Sequence, residues 1–249
     1  MAGQHYPACM LILVLALFSA APSAAEEPLK LLTGIWPPFI YPEGDGQGLV
    51  TGTVQEAFNH VGISTTVTVM PWNRVRHLVN TEGAISYGWS WSPELSTPWY
   101  YSEELVRTLD LFAERRSDPV EWSSIDDLRS RRIGVVNGYN LPVEIEQMKD
   151  QLTTITAPND ESNLRMLLAG RTDVAIINPR VARYLLERKF SEEERERVIL
   201  QTGQPIDSYT LHLVCHKQTP DCADTILKFN EGMRRLKFDG GFGPRTKAK

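Results

Sequence analysis

The chain has 249 residues, 42% apolar and 23% charged, an ordinary globular composition that excludes disordered, collagen-like and disulfide-scaffold classes. Its formal net charge is −5, whereas a nucleic-acid binder usually carries a basic domain or stripe. The length fits one large domain or two small ones.

Positions 1–25 contain no Lys, Arg, Asp or Glu, and their positive charge is limited to His5 and the terminal amine. The apolar run Met10 to Ala21 is about a dozen residues, short of the about 20 that cross a bilayer. Pro22-Ser23-Ala24-Ala25 follows it. That order reads as a secretory leader cleaved near Ala25. No later apolar run approaches membrane length, so the mature protein is expected to be soluble. Cys9 precedes the apolar run and is no lipidation site. Cys215 and Cys222 remain. In an exported chain they read as one disulfide, with two free thiols or half of a metal site as the alternatives.

The elements then alternate. Leu29–Thr33 reads as a strand. Thr53-Val-Gln-Glu56 reads as a capping box opening a helix that Gly62 closes. Thr65–Met70 is a strand, and Pro71 opens a helix with Val75, Leu78 and Val79 on one face. Ile85, Tyr87, Trp89 and Trp91 fall on one side of a strand, with Ser86, Gly88, Ser90 and Ser92 on the other. A strand at Val106–Glu114 leads into a polar connection, 115–123, containing Pro119.

A second series follows: a short helix from Ser124, strand Ile133–Val136, helix Leu141–Leu152 and strand Thr153–Ala157. Next come helix Asp160–Ala169, strand Asp173–Ile177, helix Arg180–Arg188 and an acidic helix from Ser191, whose Glu192–Glu196 run reads as a solvated face. Strands Val198–Gln201 and Tyr209–Cys215 precede a last helix, Asp221–Phe238. This alternation predicts α/β architecture with mixed, mainly parallel sheets. Two series joined by one polar link predict two lobes. All six Trp lie between positions 36 and 122, so the lobes differ in character. The tail from Gly243 is basic.

The order of several short motifs carries a resemblance. Ile35-Trp-Pro-Pro-Phe39 follows the first strand, and Gly48–Phe58 leads to Gly62. Then come Met70-Pro-Trp-Asn-Arg74, Ser92-Pro-Glu94, Ser124-Ile-Asp-Asp-Leu128 and Arg132-Ile-Gly-Val-Val-Asn-Gly138. Gly170-Arg-Thr-Asp-Val-Ala175 and Leu236-Lys-Phe-Asp-Gly240 close the series. Over essentially the whole mature chain this resembles family 3 of the bacterial extracellular solute-binding proteins, the periplasmic components of polar amino acid ABC importers. The resemblance implies a two-lobed Venus-flytrap fold of type II. Two segments would cross between lobes, near Leu109–Arg115 and Ser208–Cys215. Lobe one would comprise 26–112 plus 210–249 and lobe two 113–209, with the ligand between them.

Candidate ligand-binding residues follow. Trp36 and Phe39 lie just past a strand, where open α/β sheets place ligands, and the resemblance puts this segment in the cleft. Trp89 and Trp91 sit near a strand's C-terminal end. Asn137-Gly138-Tyr139-Asn140 joins a strand to a helix whose first turn holds Pro142. Backbone amides at a helix start bind anions and glycine permits close approach. The family's members receive a carboxylate there; this chain carries Tyr139 where they have a small hydroxyl residue.

Two departures bear on the ligand. Ser92-Pro-Glu94 is followed by Leu95, where amino-acid binders of the family carry a carboxylate-clamping Arg. The strand ending at Ile177 is followed by Asn178, where they carry an acid for the ammonium. Trp72 and Arg74, on a first helical turn, are candidates for a replacement contact and charge. An uncharged, anionic or aromatic-bearing ligand is therefore expected, and standard polar amino acids are expected to bind weakly or not at all. His60, His77, His212 and His216 show no metal-ligand spacing, so no metal or cofactor is expected.

The sequence thus predicts a non-enzymatic periplasmic solute-binding protein, a monomer that hands a small molecule to an inner-membrane ABC permease. One rival is an enzyme on the same scaffold, similar to cyclohexadienyl dehydratases, which needs a cleft acid. No carboxylate is clearly placed there by position, and Glu94 is better read as capping a helix turn. The other rival is a sensor that passes its signal to a membrane receptor.

Overall fold

The computed structural model describes residues 27–41, 48–203 and 205–238. The expected leader and basic tail lie outside the described residues. The chain runs β1 (Leu29–Thr33), α1 (Gly48–Asn59), β2 (Thr65–Val69), α2 (Trp72–Thr81), β3 (Ile85–Ser90), α3 (Pro93–Ser96), β4 (Trp99–Tyr101) and β5 (Val106–Arg115). It continues through β6 (Arg132–Val136), α4 (Val143–Gln147), β7 (Thr153–Ala157), α5 (Asp160–Leu168), β8 (Val174–Ile177), α6 (Pro179–Lys189), α7 (Glu192–Glu196), β9 (Val198–Leu200), β10 (Asp207–His216) and α8 (Cys222–Phe238).

The strand order is β2-β1-β3-β10-β5-β8-β6-β7, with β4 beside β10 and β9 beside β5. β1 pairs in parallel with β2 and β3, and β6 with β7 and β8. The antiparallel pairs all involve β5 or β10. β5 serves both halves. Val106 through Asp110 pair with β10, and Leu111 through Glu114 pair with β8. The pairing partner therefore changes between Asp110 and Leu111. The result is a two-lobed α/β fold whose lobes meet along the two long antiparallel strands.

Packing explains the elements. On α2, Val75 and Val79 are fully buried, as the 3.6-residue period requires. They pack with Trp89, Leu95, Trp99 and Val214. α1 begins at Gly48, five residues before the expected capping box. Thr53 therefore sits inside the helix, and its hydroxyl donates to the Leu49 carbonyl at 2.9 Å, the back-bonding habit of mid-helix threonine. The expected helix 141–152 is shorter, α4 followed by a 3-10 turn at Lys149–Gln151.

The stripe expected on β3 is broken. Leu213 pairs with Tyr87 and His212 with Trp89, so Gly88 is the extra residue of a bulge. Its φ of +91° is open to glycine at low cost. Alternation slips there. Tyr87 packs in the core under α1, its hydroxyl 2.8 Å from Thr51 Oγ1. Trp89 turns to the α2 side, where its Nε1 donates to Ser86 Oγ at 2.7 Å. Trp91 is 52% exposed. β4, three residues long, carried no signal distinct from the turn around it.

Cys215 of β10 and Cys222 at the start of α8 are disulfide-bonded, with Cα atoms 5.9 Å apart. The two alternatives left open by the sequence are excluded for this pair. No helix among the described residues is long and apolar enough to cross a membrane.

Candidate functional site: the cleft between the lobes

Residues from both lobes line two adjoining cavities. The first, about 70 Å³, has walls from Trp36, Trp72, Trp89, Trp91, Tyr139 and Tyr209, with Asp110, Asp207 and Asn140 among its polar groups. The second, about 30 Å³, shares Trp36, Asp110, Tyr139 and Tyr209 and adds Asp160 and Asn178. A wider groove of about 670 Å³ opens on the other side of Tyr139, walled by Tyr41, Asn73, Asp160, Tyr184 and Arg188 among others.

Each lobe-one aromatic has a local reason for its place. Trp36 and Ile40 form an isolated bridge just after β1, which turns the Trp36 ring toward the cleft. Phe39 is 2% exposed, stacks on Trp36 with centroids 4.4 Å apart, and is absent from the cavity walls. It supports Trp36 from the core and does not face the cleft. Trp72 stands edge-on to Trp89 at 4.9 Å and to Tyr139, across the cleft, at 6.3 Å.

The two lobes touch at the loop after β6. Arg76 Nη2 donates to Asn140 Oδ1 at 2.8 Å and to the Gly138 carbonyl at 3.4 Å. Asn140 Nδ2 donates back to the Ser90 carbonyl at 3.0 Å and to Ser90 Oγ at 3.1 Å. The Arg76 guanidinium also lies over the Trp89 ring, 5.5 Å from its centroid. Arg74, the expected charge, is exposed and lines neither cavity. Helical geometry is the reason: Arg76 lies four residues after Trp72 on the same face, whereas Arg74, two residues after it, faces away.

Asn178 is buried, and its amide is spent on structure. Nδ2 donates to Thr108 Oγ1 at 2.6 Å and to the Leu109 carbonyl at 2.9 Å. Oδ1 accepts from the Arg180 and Val181 amides. It caps α6 and fastens that helix to β5, so neither end is free for an ammonium.

The cleft holds carboxylates that the sequence did not assign to it. Asp110 and Asp207 face each other as partners of the β5–β10 ladder. The Tyr209 hydroxyl donates to Asp110 Oδ1 at 3.0 Å. Asp160, the first residue of α5, accepts from the Tyr139 hydroxyl at 2.6 Å. Burial pushes the Asp110 carboxyl up to about 7, and the charges of Asp160 and Asp207 add to the rise. Burial pushes Asp160 up to about 6 and raises Asp207 as well. The tyrosine hydroxyls only partly offset this. The cleft thus contains acids where the sequence placed no carboxylate clearly by position. Asp160 had a readable signal, since it follows a strand and opens a helix at the ligand-binding edge of a sheet; Asp110, within an uninterrupted strand, had none. Among the described residues no group of three His, Cys, Asp or Glu is arranged to hold a metal.

No family model matches the chain, and no curated protein matches it in sequence. Solved structures do match. A histidine kinase sensor domain with similarity to periplasmic binding proteins has a TM-score of 0.71 at 16% identity, over 85% of this chain and 91% of that one. The arginine-, lysine-, histidine-binding protein ArtJ from Geobacillus stearothermophilus has a TM-score of 0.69 at 16% identity, over 86% and 91%. The ancestral amino acid-binding protein AncCDT-1, a precursor of cyclohexadienyl dehydratase, has a TM-score of 0.67 at 16% identity, over 86% and 90%. The fold is that of the two-lobed periplasmic binding proteins.

Proposed function

We propose that this protein is an exported solute-binding protein that captures a small molecule between its lobes. The observation that carries the reading is a cavity walled from both lobes, with the Arg76–Asn140 contact joining them at its wall residue Asn140. Such clefts close by hinge motion around their ligands. Within this proposal lobe one is 26–112 plus 210–249 and lobe two 113–209, a division supported by the change of partner at Asp110–Leu111. The family 3 assignment, cleavage near Ala25, release into the periplasm and a monomeric state belong to the same reading. So does delivery to an ABC permease. The likeness to a kinase sensor domain favours a membrane receptor as the alternative receiver.

Catalysis on this scaffold is a second reading, favoured by Asp110. A cleft carboxyl that titrates near 7 is suited to general-acid work. Native mass spectrometry of protein taken from its own periplasm tests both. Capture predicts one retained small molecule that is released unchanged on unfolding. Conversion of that molecule on incubation supports catalysis instead. Protein that neither retains a small molecule nor binds or converts any in a thermal-shift and turnover screen contradicts both.

A further inference from the structure

Resting on the reading of the cleft as a capture site, we propose that its ligand is a small organic cation lacking a carboxylate, such as an alkylammonium or a guanidinium, held among Trp36, Trp91 and Tyr209 over Asp110 and Asp207.

Three features of the cavity converge on this chemistry. Its walls are dominated by indole and phenol rings, whose faces attract cations, most strongly when desolvated. Carboxylates meet there without a counter-charge: Asp110 and Asp207 oppose each other on adjacent strands, and Asp160 lies beside the adjoining cavity. Like charges directly opposite on a ladder are destabilising. Among the described residues no Lys, Arg or His lines either cavity. A cation neutralises this cluster, whereas an anion adds to its repulsion.

The same wall argues against a zwitterionic amino acid. A buried carboxylate needs a paired donor, or its desolvation goes uncompensated. The guanidinium at the cleft rim, Arg76, lines neither cavity, and its Nη2 already donates to Asn140 and to the Gly138 carbonyl. Asn178 has no free amide proton or lone pair facing the cavity that its four hydrogen bonds leave over. Size points the same way. About 70 Å³ is roughly five times the space one water needs, which suits a small ligand and leaves less room for an added carboxylate.

Calorimetry on the mature protein decides the matter, with choline, putrescine and agmatine titrated beside arginine and lysine. At least one of the three carboxylate-free cations binds, agmatine at least about 100-fold more tightly than arginine if it is the one. Asp110→Asn, a neutral near-isostere, weakens that binding about tenfold or more, with its melting temperature measured to confirm folding. Trp36→Ala weakens it as well. Failure of all three cations to bind overturns the proposal, as does tighter binding of arginine than agmatine or full cation affinity in Asp110→Asn. A neutral or anionic molecule retained by the native protein overturns the proposal while the capture reading stands. Binding of no small molecule at all, neither a cation by calorimetry nor any retained from the periplasm, removes the capture reading with it.

Discussion

Arg76 on α2 and Asn140 after β6 meet at 2.8 Å across the cleft, the guanidinium donating to the side-chain carbonyl. Asn140 then returns two hydrogen bonds to Ser90 in the first lobe. One amide therefore ties both lobes together at the cavity rim. Because Arg76 and Ser90 lie on one side of the cleft and Asn140 on the other, these bonds stabilise the arrangement in which the two sides meet and not either side alone.

Asn140→Ala removes that tie. A charge-assisted hydrogen bond contributes about 1.5–3 kcal/mol, so ligand affinity should fall at least about tenfold. The ligand-free melting temperature should barely change, since water replaces the lost bonds in the open state. Calorimetry and a melting curve on the same sample separate the two effects. A large loss of ligand-free stability with unchanged affinity contradicts this role.

Gly138→Ala tests closure sterically. Gly138 has φ of +84°, and a Cβ there meets Asn73 Oδ1 at 2.6 Å and Trp72 Cβ at 3.1 Å, both across the cleft. Gly170 has a similar φ of +69° with nothing within 4 Å. Each alanine costs about 1–3 kcal/mol of backbone strain. Both variants should melt earlier by comparable amounts, but only Gly138→Ala should also lose affinity. Equal affinity losses in the two variants would show that strain alone is responsible.

The cleft acids predict a pH dependence. Asp110 and Asp160 are held above the ordinary carboxylate range, at about 7 and about 6. The folded state therefore binds more protons than the unfolded one between about pH 4 and 7, and stability from these groups falls as pH rises through that window. Around them stand Asp207 and Tyr209 from β10 and Tyr139 from the β6 loop, with Glu144 acting on Asp207. Asp110→Asn should raise the ligand-free melting temperature more at pH 8 than at pH 5. A cation should bind more tightly at pH 8 than at pH 5.5 to wild type, with the difference reduced in the variant. Melting curves and calorimetry at the two pH values check both signs.

The Cys215–Cys222 bond closes a short loop between β10 and α8. On the chain-entropy account such a loop contributes about 2.5 kcal/mol. Reduction should lower the melting temperature by several degrees without abolishing the fold. Two alkylatable thiols in denatured, unreduced protein would contradict the bond.

Much of the scaffold was readable because its signals are local. Leu29–Thr33 and Thr153–Ala157 are β-rich runs bounded by turns, and both appear over those residues. Val75 and Val79 announced the buried face of α2. The aromatic half of the cleft was readable too: Trp36, Trp72, Trp89, Trp91 and Tyr139 all line one cavity. The acidic half was not. Asp110 and Asp160 lie 50 positions apart, and only the pairing of β5 with β8, and of β8 with β6, draws them together. Arg76 was within reach of helical periodicity and was passed over for Arg74. The slip at Gly88 depends on its partner strand, β10, which begins more than a hundred residues later.

Small-angle scattering of the mature protein, with and without the small molecule recovered from it, tests the central claim most directly. Capture by closure predicts a smaller radius of gyration in the loaded protein, matching the arrangement in which Arg76 touches Asn140, and a larger one in the empty protein. Identical scattering in the two states, with the ligand shown to be bound, would contradict capture by closure of the lobes.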